Sequence, residues 1–437
     1  MAENLQVLVK FVTKLSKELR VPETPVAVPV SLKRLGLSQI VNSLLNLEPS
    51  RPFDFLINDE LLRKSLQQHL LDNELSTEAT LIIEYIPAVV PPQPKQSTPH
   101  DDWVSCVGAV GLSHIVSGSY DGNIRLFNCD LKCESAVPAH ADGVNALVSL
   151  PSSQGGQLLM SAGKDHRVAL WRVTSATEVE SCSVDLLAQF VGHSDAAEGV
   201  AVSPSGTKAV SCGWDGALLV WRTGASVVEE AREASTASTH IPVSAKKRKV
   251  GKSADEATAV APMPPIEEVP ISRLEGHLHC VSSVTWPLET SIYSGGWDHS
   301  VRRWDVGTGI NTDTYNGSKV VSTVASCSSS PDVVAFGGSD KALRVWDSRS
   351  KKGEGLAVQG YASHTNWISC VSWSPHSSFH LATASHDQTV KMWDIRSAVP
   401  LFTLTAHTDK ALCVQWVLSE GTLVSGGADC TMQMYTK

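Results

Sequence analysis

Apolar and polar residues alternate along several short stretches of the first 86 residues. Gln6–Val12 carries an apolar side chain at every second position, which is typical of a strand with one buried face. Residues 37–45 have helical spacing instead, and Ser38 is a suitable N-cap. The same reasoning predicts strands at 26–32, 52–57 and 79–86 and a short helix at 61–71. The predicted order is therefore strand, strand, helix, strand, short helix, strand.

That order predicts a small α+β domain of ubiquitin-like type at residues 1–86. Residues 87–99, which contain five prolines, follow as a linker. The next part of the chain has a different organisation, because it repeats.

The repeat is an aspartate followed six residues later by an aromatic residue. The aspartates are 42 to 50 residues apart, except for one interval of 83. A period in the low forties built from short strands predicts a β-propeller, here of seven blades at residues 100–437. The seven pairs are Asp121/Phe127, Asp165/Trp171, Asp215/Trp221, Asp298/Trp304, Asp340/Trp346, Asp387/Trp393 and Asp429/Tyr435.

Two further residue types recur at fixed places in the repeat. A serine or threonine lies four residues before the aspartate in every repeat except the fifth, which has Phe336. A histidine lies 21 to 25 residues before the aspartate, and the fifth repeat lacks it. Four repeats hold the full set with Trp: His140, Ser161, Asp165, Trp171; His193, Ser211, Asp215, Trp221; His277, Ser294, Asp298, Trp304; and His364, Thr383, Asp387, Trp393.

Serine, histidine and aspartate are also the components of a hydrolase triad. A catalytic nucleophile occurs once in a cleft, however, whereas this set recurs in blade after blade. The structural interpretation is therefore favoured. It predicts a buried network in which the aspartate accepts from histidine, histidine bridges to the hydroxyl, and tryptophan donates its indole N–H. With no other polar constellation, we expect a protein that is not an enzyme and has no cofactor of its own.

The last blade is expected to lack its outermost strand, because only two residues follow Tyr435. An unpaired sheet edge in a closed propeller is unfavourable. Residues near 88–96 are predicted to supply the missing strand, and their prolines restrict it to an edge position.

The long interval between the third and fourth repeats contains an insertion, residues 224–270. It is rich in Ala, Ser, Thr, Glu and Pro, which predicts disorder. Inside it lie Lys246, Lys247, Arg248 and Lys249. A basic run in an exposed segment is either a nuclear-localisation signal or a solvated stretch that binds anions nonspecifically, and its brevity favours the signal.

Composition narrows the alternatives further. The net charge of −9 argues against nucleic-acid binding by the whole surface. No apolar run is long enough to span a membrane. The ten cysteines contain no Cys-x-x-Cys pair, and Cys106, Cys280, Cys370 and Cys413 occupy matching phrases typical of small buried residues on inner strands. A reducing compartment is expected.

The repeats resemble the WD-repeat family, in which Gly-His opens a blade and Trp-Asp closes it. Gly192-His193 and Gly276-His277 keep the opening, and Trp304-Asp305, Trp346-Asp347 and Trp393-Asp394 keep the closing pair. More specific sequence segments lie in the head at residues 28–38, 52–57 and 61–66, and residues 102–105 complete them. With them, the whole chain resembles the WD-repeat ribosome-biogenesis family of the PeBoW complex.

This resemblance implies a scaffold that assembles the large ribosomal subunit in the nucleus, nucleolus and nucleoplasm. Its implied partners are the block-of-proliferation protein on the propeller, pescadillo through the complex, and the midasin ATPase on the head. In the family, one head glutamate completes a Mg²⁺ site on midasin, and Glu78 is the matching position. Mg²⁺ prefers carboxylate oxygens, but Asp59, Glu60, Asp72 and Glu74 are rival acids, so only the resemblance singles out Glu78.

Propellers of this type bind through the turns that hold the repeat aspartates. The residue before the aspartate is aromatic in three blades: Tyr120, Trp214 and Trp297. Exposed Trp and Tyr are enriched in binding hot spots, so these three are predicted partner-binding residues, although one or two of them could instead shield the aspartate network.

One alternative function remains. Residues 346–349 and 393–396 resemble the Trp-Asp-x-Arg box of cullin-4 ubiquitin-ligase substrate receptors. That function leaves the head without a role, and an arginine at this place also suits pairing with a neighbouring acid.

Overall fold

A computed structural model describes residues 5–76, 79–111, 113–151, 157–174, 182–223, 266–350, 358–417 and 421–436 of the protein. The chain forms two compact units, an N-terminal head and a larger β-sheet body. Within these residues no helix is long and apolar enough to cross a membrane.

The head combines one five-stranded sheet with two helices. In chain order it contains β1 (Gln6–Val12), a 3₁₀ helix (Lys17–Leu19), β2 (Val26–Pro29), α1 (Arg34–Leu45), β3 (Phe53–Ile57), β4 (Glu60–Leu61), α2 (Leu66–Asp72) and β5 (Leu81–Pro87). The strand order is β2-β1-β5-β3-β4, with β1 parallel to β5. Alternate residues of β1, namely Val7, Val9 and Phe11, are buried, as the alternation predicts.

The first helix begins earlier than its sequence predicts. Ser38 is not the N-cap, because α1 starts at Arg34 with Lys33 as its N-cap. Ser38 is buried inside the helix, where its hydroxyl accepts a hydrogen bond from the Phe53 N–H at 3.1 Å. A serine that binds the neighbouring strand carries the same sequence signal as a cap.

The second helix is shorter than the predicted range of 61–71. Leu61 belongs to the short strand β4, which pairs with β3. Only Leu66–Asp72 is helical, and Ser65 caps it by accepting from the Gln68 N–H at 3.3 Å. The strand predicted at 26–32 likewise ends at Pro29.

The body is built from 29 strands in the described residues, which form seven sheets. In chain order they are β6 (Gln93–Pro99), β7 (Val104–Val110), β8 (His114–Ser119), β9 (Asn123–Asn128), β10 (Cys133–Pro138), β11 (Val144–Ser149), β12 (Gln157–Gly163), β13 (Arg167–Thr174), β14 (Ser183–Val191), β15 (Ala197–Val202), β16 (Lys208–Gly213), β17 (Leu218–Arg222), β18 (Ile266–Glu268), β19 (Ser272–Leu274), β20 (Val281–Leu288), β21 (Ser291–Gly296), β22 (Ser300–Asp305), β23 (Asn311–Asn316), β24 (Val321–Cys327), β25 (Ser330–Gly338), β26 (Ala342–Asp347), β27 (Val358–Ala362), β28 (Ile368–Trp373), β29 (His380–Ser385), β30 (Val390–Asp394), β31 (Phe402–Leu404), β32 (Ala411–Val417), β33 (Thr422–Gly427) and β34 (Thr431–Thr436).

These sheets are the blades of a closed propeller. Their strand orders are β10-β9-β8-β7, β11-β12-β13-β14-β18, β15-β16-β17-β19, β20-β21-β22-β23, β24-β25-β26-β27, β28-β29-β30-β31 and β32-β33-β34-β6, numbered below as blades 1 to 7. The first strand of each blade, β7, β11, β15, β20, β24, β28 and β32, packs against the next, and β32 packs against β7. The predicted fold class, a seven-bladed propeller preceded by a small α+β domain, is confirmed.

The strand that closes the propeller lies slightly later than predicted. The outermost strand of blade 7 is Gln93–Pro99, not 88–96, and it pairs antiparallel with β34. The Gln433 side-chain amide also donates to the Ser97 hydroxyl at 3.0 Å. The strand is an edge strand, which tolerates its prolines.

The predicted disordered insertion, residues 224–270, extends too far at its C-terminal end. Ile266–Glu268 forms β18, which pairs in parallel with β14. This pairing covers the outer edge of blade 2, so residues 266–270 were predicted wrongly. Residues 224–265, with Lys246, Lys247, Arg248 and Lys249, lie outside the described residues.

Candidate functional site

Hydrogen-bonded chains link the recurring polar residues inside the blades. In blade 3 the Trp221 indole N–H donates to the Ser211 hydroxyl at 2.8 Å, and that hydroxyl lies 2.7 Å from His193 Nε2. His193 Nδ1 in turn lies 3.1 Å from Asp215. An ionised carboxylate only accepts, so Nδ1 carries the imidazole proton and the serine O–H donates to Nε2. All four groups therefore have partners.

Blades 2 and 4 repeat this chain. His140 Nδ1 lies 2.8 Å from Asp165, and Ser161 joins His140 to Trp171. His277 lies 2.8 Å from Asp298, and Ser294 joins His277 to Trp304 at the same two distances as in blade 3. The repeated geometry indicates a structural device of the blade, since a catalytic centre would need one distinct cleft.

Blades 6 and 7 contain the same histidine bridge. His364 lies 2.7 Å from the Thr383 hydroxyl and 2.8 Å from Asp387, while Trp393 is buried. In blade 7, His407 joins Ser425 to Asp429, with Tyr435 in the aromatic position. Burial raises the pKa of Asp387, but hydrogen bonds from Thr389, Thr365 and His364 outweigh it and lower that pKa to about 2.

Blades 1 and 5 depart from the chain in different ways. In blade 1, His100 keeps Ser117 at 2.7 Å, but its buried Nδ1 has no partner among the described residues. Asp121 is instead paired with Arg125 at 2.6 Å. In blade 5, Phe336 replaces the hydroxyl and its ring lies 5.0 Å from that of Tyr315. Only the fully connected blades are rigidified by the whole network.

The turns that hold these aspartates form one face of the propeller, called here the aspartate face. In every blade the residue before the aspartate donates its N–H to the carbonyl of the residue that lies just before the innermost strand. The seven donor and acceptor pairs are Tyr120/Trp103, Lys164/Gly143, Trp214/Ala196, Trp297/Cys280, Ser339/Val320, His386/Trp367 and Ala428/Lys410. Side chains from the two turns of a blade are therefore neighbours on this face.

All three predicted aromatic residues lie on the aspartate face and are exposed: Tyr120 by 41%, Trp214 by 46% and Trp297 by 40%. The rings of Trp214 and Trp297 belong to adjacent blades and lie 5.3 Å apart. The Trp214 indole N–H donates to Glu198, which holds that ring in place. Large exposed rings that are fixed in this way suit a protein-binding surface.

Two more exposed tryptophans on this face were missed from the sequence. The ring of Trp103 lies 5.9 Å from that of Tyr120 at an angle of 35°, and Trp367 stacks on His386 at 6.2 Å with nearly parallel rings. Both lie three residues after the histidine that opens their blade. This fixed spacing from the histidine is the sequence feature from which both tryptophans could have been predicted. Together, Trp103, Tyr120, Trp214, Trp297 and Trp367 are called the aromatic cluster below.

Acidic residues accompany the aromatic cluster. Two residues after the opening histidine, four blades have an aspartate whose carboxylate accepts from the next backbone N–H: Asp102, Asp142, Asp195 and Asp409. Three of them, with Glu198, Tyr120 and Trp214, line a cavity of about 460 Å³ that also contains Lys164. Burial raises the pKa of Glu198. Because three aspartates face one lysine, the cavity favours a cationic group over an anionic one.

Both Trp-Asp-x-Arg motifs form internal ion pairs. Arg349 binds both oxygens of Asp347, at 3.0 and 2.7 Å. Arg396 binds both oxygens of Asp394, at 2.9 and 2.7 Å. Each arginine thus has a structural partner in its own motif.

Glu78, the predicted Mg²⁺ ligand in trans, lies outside the described residues. Among the rival acids, Asp72 is engaged by Lys64 at 2.6 Å and by Gln68 at 2.7 Å. Glu60 accepts from the Asn73 side chain at 3.3 Å.

Comparisons with known proteins agree with this architecture. Residues 7–70 match the model of the NLE (NUC135) domain, and the WD domain, G-beta repeat, matches at 93–128, 131–172, 184–222, 268–305, 356–394 and 398–436. The six matched repeats omit most of blade 5, which lacks the histidine and the hydroxyl.

Relatives are similar over nearly the full length. A "Ribosome biogenesis protein WDR12 homolog" of Chlamydomonas reinhardtii is 54% identical, covering 100% of this chain and 98% of that protein. The protein of the same name from Arabidopsis thaliana is 38% identical, with 98% and 95% covered. "Ribosome biogenesis protein YTM1" of Kluyveromyces lactis is 32% identical, with 99% and 97% covered.

Proposed function

Because the chain belongs to the family of ribosome biogenesis proteins named WDR12 and YTM1, we propose that it is an assembly factor of the large (60S) ribosomal subunit. The family is a non-catalytic scaffold family, so its members act by binding. The proposal covers pre-rRNA processing on the pre-60S particle, in the nucleolus and nucleoplasm.

The propeller binds the block-of-proliferation protein through the aspartate face, and pescadillo joins through that protein. The observation that carries this step is the aromatic cluster, in which five exposed rings share a face with four aspartates. Aromatic rings contribute large contact areas and attract cations over their faces. Lys410 already lies 5.9 Å from the centre of the Trp103 ring. The expected partner segment therefore carries lysine or arginine beside apolar side chains.

The blade networks keep this face in one shape. Each fully connected chain fixes the turn that presents the residue before its aspartate, as Asp215 does for Trp214. A rigid surface loses little conformational entropy when a partner binds, which favours affinity.

The head docks on the metal-dependent adhesion site of midasin, and Glu78 completes the coordination of its Mg²⁺. A single carboxylate from a partner can fill an open octahedral position. The ATPase then uses this attachment to release the protein from the pre-ribosome. Lys246, Lys247, Arg248 and Lys249 serve as the nuclear-localisation signal.

Affinity purification from nuclear extract, followed by mass spectrometry, tests the proposal. The block-of-proliferation protein, pescadillo and large-subunit precursors should co-purify, and midasin should be retained in a manner that depends on ATP. Recovery of a cullin-4 adaptor without these proteins would favour the alternative, a substrate receptor of a cullin-4 ubiquitin ligase. That alternative has less support, because Arg349 and Arg396 are each accounted for by the aspartate of their own motif.

A further inference from the structure

A histidine, a glutamate and a cysteine meet between blades 1 and 2, well away from the aspartate face turns. His114 begins β8, Glu134 lies at the bulge in β10, and Cys182 directly precedes β14. The outer strands β10 and β14 pack against each other at this place. His114 and Cys182 are buried, whereas the Glu134 side chain is 27% exposed. The three residues are too far apart in the sequence to form a recognisable motif.

The three ligating atoms are mutually close. His114 Nε2 lies 3.2 Å from Glu134 Oε2, Cys182 Sγ lies 3.1 Å from the same oxygen, and Sγ lies 3.7 Å from Nε2. In a tetrahedral zinc site with bonds of roughly 2.0–2.3 Å, neighbouring ligand atoms are about 3.3–3.6 Å apart. The triangle already has nearly the size of one face of that tetrahedron. We propose that His114, Glu134 and Cys182 form a zinc site that joins blade 1 to blade 2.

The second coordination shell also fits. Ser113 Oγ lies 2.8 Å from His114 Nδ1, the ring nitrogen that faces away from the triangle. Histidines that bind metals almost always donate their other N–H to an oxygen, which fixes the tautomer. In that tautomer the Nδ1–H donates a hydrogen bond to the serine hydroxyl, which leaves the Nε2 lone pair for the ion.

The ligand set selects zinc among the abundant divalent cations. Thiolate, imidazole and a single carboxylate suit Zn²⁺, whereas Mg²⁺ and Ca²⁺ prefer six or more oxygens. A thiolate and a carboxylate also balance the two positive charges of the ion, so the occupied site carries no net charge. Three protein ligands leave the fourth tetrahedral position for a water molecule.

A hydrogen-bonded triad without metal is the competing explanation. In it Cys182 S–H and His114 N–H both donate to the Glu134 carboxylate, with similar distances. The two explanations predict different effects of added cobalt on the absorption spectrum and of added zinc on the stability of the protein. Only a metal site gains stability when zinc is added, because the ion binds the folded state and not the separated strands.

Cobalt titration of the full-length protein, after removal of metal with a chelator, is the direct test. One Co²⁺ per chain should produce a thiolate-to-cobalt charge-transfer band with the visible bands of a tetrahedral site, and zinc should abolish both. Zinc should also raise the Tm of the metal-free protein. If the metal-free protein gives no thiolate band with cobalt and no rise in Tm with zinc, the triad is only hydrogen-bonded and the proposal is overturned.

Two variants assign the ligands. Cys182→Ser should lose the thiolate band. Glu134→Gln keeps the shape of the side chain and should weaken zinc binding by roughly 10- to 100-fold. Cys129→Ser is the matched control, because Cys129 is an exposed cysteine that contacts the Ser113 carbonyl and lies outside the triangle. It should bind as the unmodified protein does. Unchanged zinc affinity in folded Glu134→Gln, with an unchanged band in Cys182→Ser, would refute the site.

Discussion

The rings of Trp214 and Trp297 lie 5.3 Å apart at an angle of 50°, although 83 residues separate them in the sequence. Each residue precedes the repeat aspartate of its own blade, and the contact forms because blades 3 and 4 are adjacent. Aromatic pairs at this distance favour tilted over face-to-face stacking. The pair is therefore a fixed aromatic surface on the proposed binding face.

Replacing both tryptophans, Trp214→Ala with Trp297→Ala, should abolish most binding of the block-of-proliferation protein. Truncation of central aromatic hot spots typically costs about 2 kcal/mol or more each, or roughly 30-fold in affinity. Calorimetry or surface plasmon resonance with purified partner measures the loss. Phe379→Ala, an equally exposed aromatic in the turn between β28 and β29, is the control and should bind normally. Normal binding by a folded double variant would remove this face from the interface.

Glu78→Ala should abolish Mg²⁺-dependent capture of the protein by midasin while propeller complexes still assemble. An alanine supplies no oxygen to the metal, whereas the remaining head acids keep the local charge. Pull-down with the adhesion module of midasin, with Mg²⁺ or with excess chelator, measures the effect. Glu74→Ala is the matched control. If Glu74→Ala loses capture and Glu78→Ala keeps it, the ligand has been assigned to the wrong acid.

Asp387→Asn should lower the free energy of unfolding of the propeller at neutral pH, and this loss of stability should become smaller in acid. The folded pKa of Asp387, about 2, lies below the ordinary value of 3.8, so its contribution is present above pH 4 and disappears as the pH falls towards 2. The expected difference at pH 7 is on the order of 1–2 kcal/mol. Urea unfolding of both proteins between pH 7 and pH 2.5 checks it. A deficit that stays constant over this range would contradict the assigned role of the carboxylate.

Ser211→Ala should lower the free energy of unfolding by about 2–4 kcal/mol. The substitution leaves two buried groups, His193 Nε2 and the Trp221 indole N–H, without their shared partner. Urea denaturation followed by tryptophan fluorescence measures the change. Ser194→Ala, an exposed serine beside the same histidine, should change stability by less than about 0.5 kcal/mol. Equal effects of the two substitutions would mean that the buried chain adds no stability.

Two truncated proteins, both without the head, should show how much β6 contributes to the stability of the propeller. A protein that begins at Gln93 keeps the strand that pairs with β34 and should unfold cooperatively. A protein that begins at His100 exposes the edge of β34, so it should have a Tm several degrees lower and aggregate. Thermal unfolding and light scattering compare the two. Identical behaviour would show that β6 does not contribute to closing the propeller.

Sequence patterns predicted the blades well because the interactions that define a blade are local. Asp215, Ser211 and His193 all lie within 23 residues of one another, so their spacing alone indicates the hydrogen-bonded chain. The fifth blade was recognised from its aspartate and tryptophan despite Phe336. Alternation in β1 similarly predicted the buried face of the head.

Local patterns failed where a residue serves a distant segment. Ser38 looked like a helix cap, but its hydroxyl binds the backbone of Phe53. Residues 266–270 looked like part of a disordered insertion, yet Ile266–Glu268 covers the open edge of β14. In each case the stabilising partner comes from another element, which no short window of sequence contains.

The sequence by itself determined the number of blades, the polar chain inside them and the α+β character of the head, since each depends on residues at short, repeated intervals. Only the tertiary structure decided that the strand completing blade 7 is Gln93–Pro99 and not 88–96, that Trp103 and Trp367 share a face with the three predicted aromatic residues, and that His114, Glu134 and Cys182 meet. Those relationships arise when strands from different blades pack together, and packing partners are chosen by the folded chain as a whole.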